Sequence, residues 1–385
     1  MSNKTRVFLT GATGVMGAAG LKELMRYPEY EITVLARDTK INHKKLRGFE
    51  EKGVKVIWGD LLEESKIREG VENADIVLHV GGMVSPMAEH FPEKTMKVNV
   101  GSMQLIADIV KEIENKEPNR IVKVVYIGSV SQYGSHLPPN HWGKVGDSEK
   151  AAQFDAYAES KILAEKVLKE SGIKKWVSIR QTAILHPGLL KKANDPVTFH
   201  VPLHGTIEWI TTEDSGRLLE RLCRTSVPDD FWGKCYNAGG GENFRLTNLE
   251  FERAILKAMK CPAPEKIFES NWFALDNFHG IWFEDSDDLD SILHFRQPDT
   301  FEAALDRISK TLPWYFKLAP IVHSKLIKIF MKKVASTPGL GPLYWIKSND
   351  KKRIEAAWGS MDNYLKIPSW EELEDMKLSK ATPKN

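Results

Sequence analysis

Tyr157-Ala158-Glu159-Ser160-Lys161 holds the residues best suited to moving a proton. On a helix, positions i and i+4 share a face, so the Tyr157 phenol and the Lys161 ammonium point the same way. A tyrosine has a reference pKa near ~10 and is a poor base at neutral pH. A neighbouring cation favours the phenolate and lowers that value. The phenol can then give a proton to a carbonyl oxygen or take one from an alcohol. Upstream, the run Tyr126-Ile127-Gly128-Ser129-Val130-Ser131-Gln132-Tyr133-Gly134 closes an apolar segment. A hydroxyl there can polarise a substrate oxygen, and Ser129 and Ser131 both qualify by residue type. Y-x-x-x-K also arises as an ordinary amphipathic helix face. Its weight here comes from its place, between a fifth strand and a sixth.

These groups need something to act with, and the start of the chain supplies a candidate. Residues 5–17, TRVFLTGATGVMG, run from a short apolar strand into glycines at 11, 14 and 17, followed by the helix-compatible AAGLKELMR. A strand ending in such a turn and feeding a helix gathers backbone N–H groups and the positive helix end at one point. That point suits the pyrophosphate of a dinucleotide. Gly11, Thr13, Gly14, Val15, Met16 and Gly17 are the candidate contacts, against the plainer reading of a tight turn. A bound, positively charged nicotinamide would add to the pull of Lys161 on Tyr157.

The elements that must position these residues alternate over the first 190 positions. Apolar runs lie at 32–36, 54–58, 76–80, 121–127 and 176–179, with amphipathic stretches at 17–26, 101–115 and 155–170. Strands apolar on both faces, interleaved with helices, predict an α/β, Rossmann-like, doubly wound parallel sheet with ligands beyond the strands' carboxyl ends. The expected division is a dinucleotide-binding domain over 1–190, with elements returning to it between 205 and 262. A smaller substrate-binding lobe is expected over 191–310 and a helical C-terminal extension over 311–385. At 385 residues there is room for both a main domain and a lobe.

Composition narrows the class. Lysine and arginine total 54 against 52 carboxylates, a net charge of +2 that calls for no nucleic-acid partner. Cys223, Cys235 and Cys261 form no C-x-x-C pair, so neither a metal site nor a disulfide framework is expected. No apolar run approaches the ~20 residues of a membrane span, and no leader-like segment is read at the start. The expectation is a soluble cytoplasmic enzyme without stable membrane insertion.

The second strand bears on cofactor choice. An acid at its end would bind an adenosine ribose diol and favour NAD. Here it ends Val34-Leu35-Ala36-Arg37-Asp38, with Lys40, Lys44 and Lys45 following. Arg37 can clamp a 2′-phosphate through its planar donor fork. NADP is therefore expected, with NAD as the alternative that Asp38 leaves open; the plainer reading makes Arg37 an exposed loop charge. Asp60 and Leu61 end the third strand. The Asp60 carboxylate is a candidate for an adenine amino group, or else a helix N-cap.

Taken together, TGATGVMG, GDL at 59–61, LHVGG at 78–82, the Ser129–Gly134 run and YAESK resemble the extended short-chain dehydrogenase/reductase superfamily, in its epimerase/dehydratase-like branch. IRQTAILHPG at 179–188 looks like the segment after that family's sixth strand. CYNAGGGENFRLTNLE at 235–250 resembles the strand and helix start of its substrate lobe. The resemblance covers about residues 5–310. It implies Ser129 as the catalytic hydroxyl, Tyr157 as general acid/base, and Lys161 as holder of the nicotinamide ribose. Val80, Gly81 and Gly82 would line the cofactor, and Ala183 and Ile184 would meet the nicotinamide amide. Ser131, Tyr133 and His186 are the expected substrate contacts.

Departures from the family pattern sharpen this. Its dehydratases carry Asp-Glu just after the hydroxyl, where this chain has Val130-Ser131. The family's Arg-Pro is Arg180-Gln181, its next glycine is His186, and shortened spacing puts the role of Asn99 in doubt. The expected activity is an NADP-dependent carbonyl/alcohol interconversion on a small lipophilic substrate. The alternatives are an NAD-retaining nucleotide-sugar epimerase and a non-enzymatic redox sensor, the latter disfavoured because tyrosine and lysine are both kept. Beyond 310, Trp314, Tyr315 and Phe316 precede KLAPIVHSKLIKIFMKKV. That extension reads as a helical cap on its own aromatics, as a lid over an apolar pocket, or as a membrane-surface contact through 317–333. Ile162, Leu163, Val167 and Leu168 give helix 155–170 more apolar positions than one stripe needs. A homodimer is expected to cover them, or otherwise the extension.

Overall fold

The computed structural model describes residues 4–191, 195–313, 323–373 and 378–383. Seven strands, β1 (Thr5–Thr10), β2 (Tyr30–Ala36), β3 (Lys55–Trp58), β4 (Ile76–His79), β5 (Lys123–Ser129), β6 (Trp176–Gln181) and β7 (Lys234–Ala238), form one sheet ordered β7-β6-β5-β4-β1-β2-β3. Every pairing is parallel; Val7, for example, sits beside both Ile32 and Ile76. The chain turns outward in both directions from β1 and β4, which opens the crevice where such sheets take ligands.

Alternation along the strands divides the core in two. Val7, Leu9, Val34, Val125 and Ile127 face α1 (Val15–Leu24), α2 (Lys40–Glu50) and α6 (Thr212–Arg221). Phe8, Leu35, Val77, Val124 and Tyr126 face α3 (Glu64–Glu72), α4 (Pro92–Lys116) and α5 (Ala156–Glu170). Each such side chain removed from water contributes roughly 1.5–3 kcal/mol. Helices α1 and α6 approach closely because Gly20 and Gly216 carry no Cβ. One added at Gly20 would meet Leu219 at 2.4 Å, and one at Gly216 the Ala19 backbone at 2.8 Å.

Two expectations are corrected here. The helix expected from 101 begins at Pro92, where proline's missing N–H is not needed in the first turn. Cys235–Ala238, read as the opening of the substrate lobe, belongs instead to β7. It pairs with β6 from Lys234↔Val177 to Ala238↔Gln181, and Asn237 and Ala238 are buried against the main sheet.

Past β6 the chain also builds smaller units. Arg245–Thr247 pairs antiparallel with Thr206–Glu208. Around them, buried Glu208 accepts from Arg245 Nε (2.9 Å), the Gly241 N–H (2.9 Å) and Ser286 Oγ (2.6 Å). Helix α7 (Asn248–Ala258) starts on a reciprocal Thr247–Glu250 capping box, and α8 (Phe301–Lys310) buries Phe301, Ala304 and Leu305. Then come α9 (Ser324–Ala335), α10 (Pro342–Ser348) and α11 (Lys351–Trp358). Met331, Val334 and Ala335 of α9 share a core with Phe199, Leu256 and Phe268, while Trp345 and Trp358 close on Ala274.

These later helices therefore cover residues 199–274 and not the spare face of α5, where Leu163 stays 45 % exposed. The reading that the extension covers that face is corrected. Trp314, Tyr315 and Phe316 lie outside the described residues. Among those described, no helix is long and apolar enough to cross a membrane. A cavity of about 130 Å³ is lined by Leu137, Pro202, Leu203, His204, Phe273 and Leu373 among others.

Candidate active site

The carboxyl ends of β1, β4, β5 and β6 carry the residues of interest. After β1, Gly11 adopts φ +76, a left-handed value natural to glycine. A Cβ there would also meet the Gly81 nitrogen at 2.7 Å. Gly14 occupies the N-cap of α1 without a side-chain cap, and the first turn holds no acid. The leading N–H groups of α1 thus face outward beside exposed Val15, with Thr13 partly exposed and Met16 turned into the core. This helix end has the chemistry of an anion seat and fits a dinucleotide pyrophosphate.

A buried hydrogen-bond chain ties that turn to β4. Thr10 Oγ1 accepts from the Gly81 N–H at 3.0 Å and meets His79 Nδ1 at 2.9 Å, while His79 Nε2 meets Ser102 Oγ at 3.1 Å. Burial pushes His79 down to about 3, so the imidazole is neutral near pH 7. Val80 is partly exposed and Gly82 exposed just beyond. Leu61 lies near Gly81, within 3.2 Å of where its Cβ would stand. Asp60 accepts from the Leu62 N–H at 3.1 Å, but the N-cap position of α3 is Glu63. The Asp60 cap reading is thereby corrected.

At the end of β2, Arg37 is exposed, and among the described residues its side chain makes no hydrogen bond or ion pair. Lys45, from α2, donates to the Thr13 carbonyl at 2.9 Å, which brings a second cation onto the glycine turn. His43 stacks on Trp58 at 3.7 Å between ring centroids and meets Asp38 at 2.8 Å.

Helix α5 carries Tyr157 and Lys161 across from the end of β5. Asp155 caps it, accepting from the Ala158 N–H at 2.8 Å, and its other oxygen meets His279 Nδ1 at 2.7 Å. Tyr157 keeps part of its surface open, and the Ser129 hydroxyl interacts with its phenol. Burial, the largest effect, pushes the phenol up to about 12, while Ser129 draws it back. Lys161, expected to lower this value together with a bound nicotinamide, does not lower it by itself. Lys161 Nζ instead donates to the Ile127 carbonyl at 2.7 Å and lies 5.8 Å from the centre of the Tyr157 ring. Its burial, with no carboxylate partner among the described residues, pulls the lysine down to about 8.

The three expected substrate contacts fare differently. Ser131 is fully buried and gives both its N–H (3.1 Å) and its hydroxyl (2.9 Å) to Ser129 Oγ, so it supports Ser129. Tyr133 is also buried, its hydroxyl donating to Asn237 Oδ1 and accepting from Arg180 Nη1, each at 2.8 Å. Both are turned into the core by the helical turn Val130–Tyr133 that follows β5. His186 is partly exposed, with Nδ1 accepting from the Gly188 N–H at 3.1 Å. Ala183 and Ile184 follow β6; the Ala183 carbonyl accepts from the Ile210 N–H at 3.1 Å, and Ile184 pairs with Ile210.

Several neighbours were not legible. Asn99, whose role the spacing put in doubt, accepts from the Met83 N–H (2.7 Å) and donates to the Met83 carbonyl (3.0 Å) and Ser160 Oγ (2.8 Å). It thereby fixes the segment following Gly82 onto α5. The Asp155–His279 contact joins residues 124 positions apart, and no local pattern marks it.

Residues 7–182 match the sequence model of the NAD dependent epimerase/dehydratase family. That match spans somewhat less than half of the 385 residues. An uncharacterized protein, 052L, of Frog virus 3 (isolate Goorha) is 28 % identical over 92 residues, 24 % of this chain and 25 % of that protein. The chain spans about a quarter of the length of the curated relatives it matches. Among solved structures, UDP-glucuronic acid 4-epimerase from Bacillus cereus, bound to UDP-glucuronic acid and NAD, superposes with TM-score 0.62 at 16 % identity, covering 81 % of this chain and 99 % of that one. dTDP-glucose 4,6-dehydratase from Bacillus anthracis str. Ames, in complex with NAD, gives TM-score 0.61 at 15 % identity over 81 % and 97 %. At these identities the likeness is one of fold.

Proposed function

We propose that the protein is an oxidoreductase that interconverts a carbonyl and an alcohol on a small lipophilic substrate, with NADP as cofactor. The observation that carries this reading is the convergence of Ser129 and Lys161 on Tyr157 at the carboxyl end of β5. No Asp-Glu pair follows the serine to drive dehydration. The nicotinamide, when bound, supplies or accepts the hydride. Tyr157, protonated near pH 7, gives its proton to the nascent alkoxide and recovers it in the reverse direction. Ser129 takes two hydrogen bonds from Ser131 and so keeps its own proton free to hold the same oxygen. The Lys161 ammonium would hold the ribose diol and stabilise the phenolate.

The turn from Gly11 to Gly17, with Val80, Gly81 and Gly82, would hold the dinucleotide. Asp60, Leu61, Ala183 and Ile184 would complete its surroundings, and His186 remains a substrate candidate. Exposed Arg37 at the end of β2, with Lys45 reaching the glycine turn, supports a 2′-phosphate and hence NADP. Val84, Met87 and Phe91, all more than half exposed around the one-turn helix Met87–His90 against α5, support a lipophilic substrate. The exposed Leu163 face of α5 supports a homodimer.

A second reading, an NAD-retaining epimerase of an activated sugar, draws on the NAD-bound epimerases of like fold. One set of assays separates the two. NADPH oxidation is followed by absorbance against lipophilic aldehydes and ketones for wild type, Tyr157→Phe and Arg37→Asp. Turnover should fall by roughly ~100-fold or more in Tyr157→Phe with cofactor binding preserved. Arg37→Asp should weaken NADPH far more than NADH. Tightly retained NAD, with no turnover of any carbonyl, would favour the epimerase.

A further inference from the structure

In a chain that balances 54 cations with 52 carboxylates, the stretch from Arg307 to Asn349 has no aspartate or glutamate, yet Lys317, Lys325, Lys328, Lys332, Lys333 and Lys347 all fall within it. Helix α9 lies inside this stretch and has two apolar sides. At about 100° per residue, Ile327, Met331 and Val334 share the side seated on Leu256, Ile267 and Phe268. Leu326, Ile329 and Phe330 lie on the other side, exposed by 61 %, 67 % and 51 %. Lys325, Lys328 and Lys332 run along one flank of that ridge, and Lys333 extends it. Lys328 is engaged by Glu269, whereas Lys325, Lys332 and Lys333 have no carboxylate partner among the described residues.

Single exposed leucines are ordinary. Three apolar side chains on one ridge, flanked by cations of which only Lys328 has an acid partner among the described residues, make the pattern of a helix lying in a bilayer interface. A protein partner would need roughly 800 Å² of complementary surface on each side, which a three-residue ridge does not offer. A lipid surface needs no matching shape, and negative headgroups complement the lysines. We propose that α9 docks the protein reversibly on anionic phospholipid bilayers. Leu326, Ile329 and Phe330 enter the boundary between headgroups and acyl chains, and Lys325, Lys332 and Lys333 lie among the headgroups. This does not depend on the reaction assigned above.

The test is sedimentation of the full chain with vesicles of phosphatidylcholine alone or mixed with phosphatidylserine. Wild type should pellet with the mixed vesicles, less so as salt is raised, and stay in solution with the neutral ones. Lys325→Glu/Lys332→Glu/Lys333→Glu should lower the partition coefficient by at least about 100-fold. Leu326→Ser/Ile329→Ser/Phe330→Ser should lower it by at least about tenfold with an unchanged melting temperature. Wild type left in solution with the mixed vesicles overturns the proposal, as does equal binding to neutral vesicles. A ridge variant that binds vesicles normally also overturns it. So does one that only dissociates a dimer in light scattering, which would assign the ridge to a second copy.

Discussion

Helix α5 carries two buried charges four residues apart, and the sequence treats them in opposite ways. Glu165 is saturated: it accepts from Arg180 Nε (3.1 Å) and Nη2 (2.7 Å), Ser178 Oγ (2.7 Å) and Gln132 (3.0 Å), and pairs with Lys169 at 2.6 Å. Those partners hold its carboxyl far below the ordinary carboxylate range despite burial. Lys161 Nζ has one backbone carbonyl to bond and the rings of Tyr126 and Tyr157 beside it, with no carboxylate among the described residues, and its value is pulled down by burial. One charge is locked into the sheet, the other kept short of partners beside an open crevice. The contrast is what separates a group that fixes structure from one held ready for an incoming ligand.

The largest effect that would break this contrast is at Glu165. Glu165→Ala leaves the Arg180 guanidinium buried and short of its main partner, which should cost about 3–5 kcal/mol in urea unfolding. Glu165→Ala/Arg180→Met should recover much of that. Arg180 Nη2 also pairs with Glu149, and a loss below ~1 kcal/mol would mean that Glu149 alone satisfies the arginine.

Lys161→Met should act in the opposite direction. In the cofactor-free protein it removes an unpaired buried ammonium. Charging the native lysine near pH 7 opposes folding by roughly 3 kcal/mol, from a shift of 10.5 to about 8. Less the lost hydrogen bond, the variant should gain about 1–3 kcal/mol while losing turnover. The sign of the pH dependence follows. Between pH 8 and 10.5 the unfolded state binds the extra proton, so wild-type stability should rise with pH across that window through this group, and the variant should lack that rise. A destabilised Lys161→Met protein would show that the lysine is structural after all. The smallest effect should come from Lys169→Ala at the partly exposed rim of the Glu165 cluster, roughly 0–1 kcal/mol by the same unfolding measurement.

Much of this was legible because local spacing carried it. The glycines at 11, 14 and 17 can serve one kind of turn, and Tyr157 and Lys161 share a helix face. Near-continuous apolar strands point to a parallel sheet. What spacing could not carry was depth. Ser131 and Tyr133 follow β5 as Ser129 does, yet both are turned into the core, one beneath Ser129 and the other against Arg180 and Asn237. The helical turn Val130–Tyr133, closed by a Ser129–Gln132 capping box, decides which hydroxyl stays near Tyr157. That elements within 205–262 return to the main domain was expected, but local pattern did not mark 234–238 as the returning strand, because its partner β6 ends 53 residues earlier, at Gln181.

That late strand has a consequence for how the chain is made. Tyr30 reaches Glu220, 190 residues away, and α1 waits for α6 to cover Leu21 and Leu24. Until residue 238 has been synthesised, β6 is an open edge, and before α6 is made the apolar side of α1 that it covers is exposed. A nascent chain or fragment stopping near residue 190 would display the apolar patch that α6 covers and an unpaired strand edge, the two features that recruit other chains. Successful production should therefore depend on uninterrupted translation through this region, and fragments ending near 190 should be recovered as aggregates.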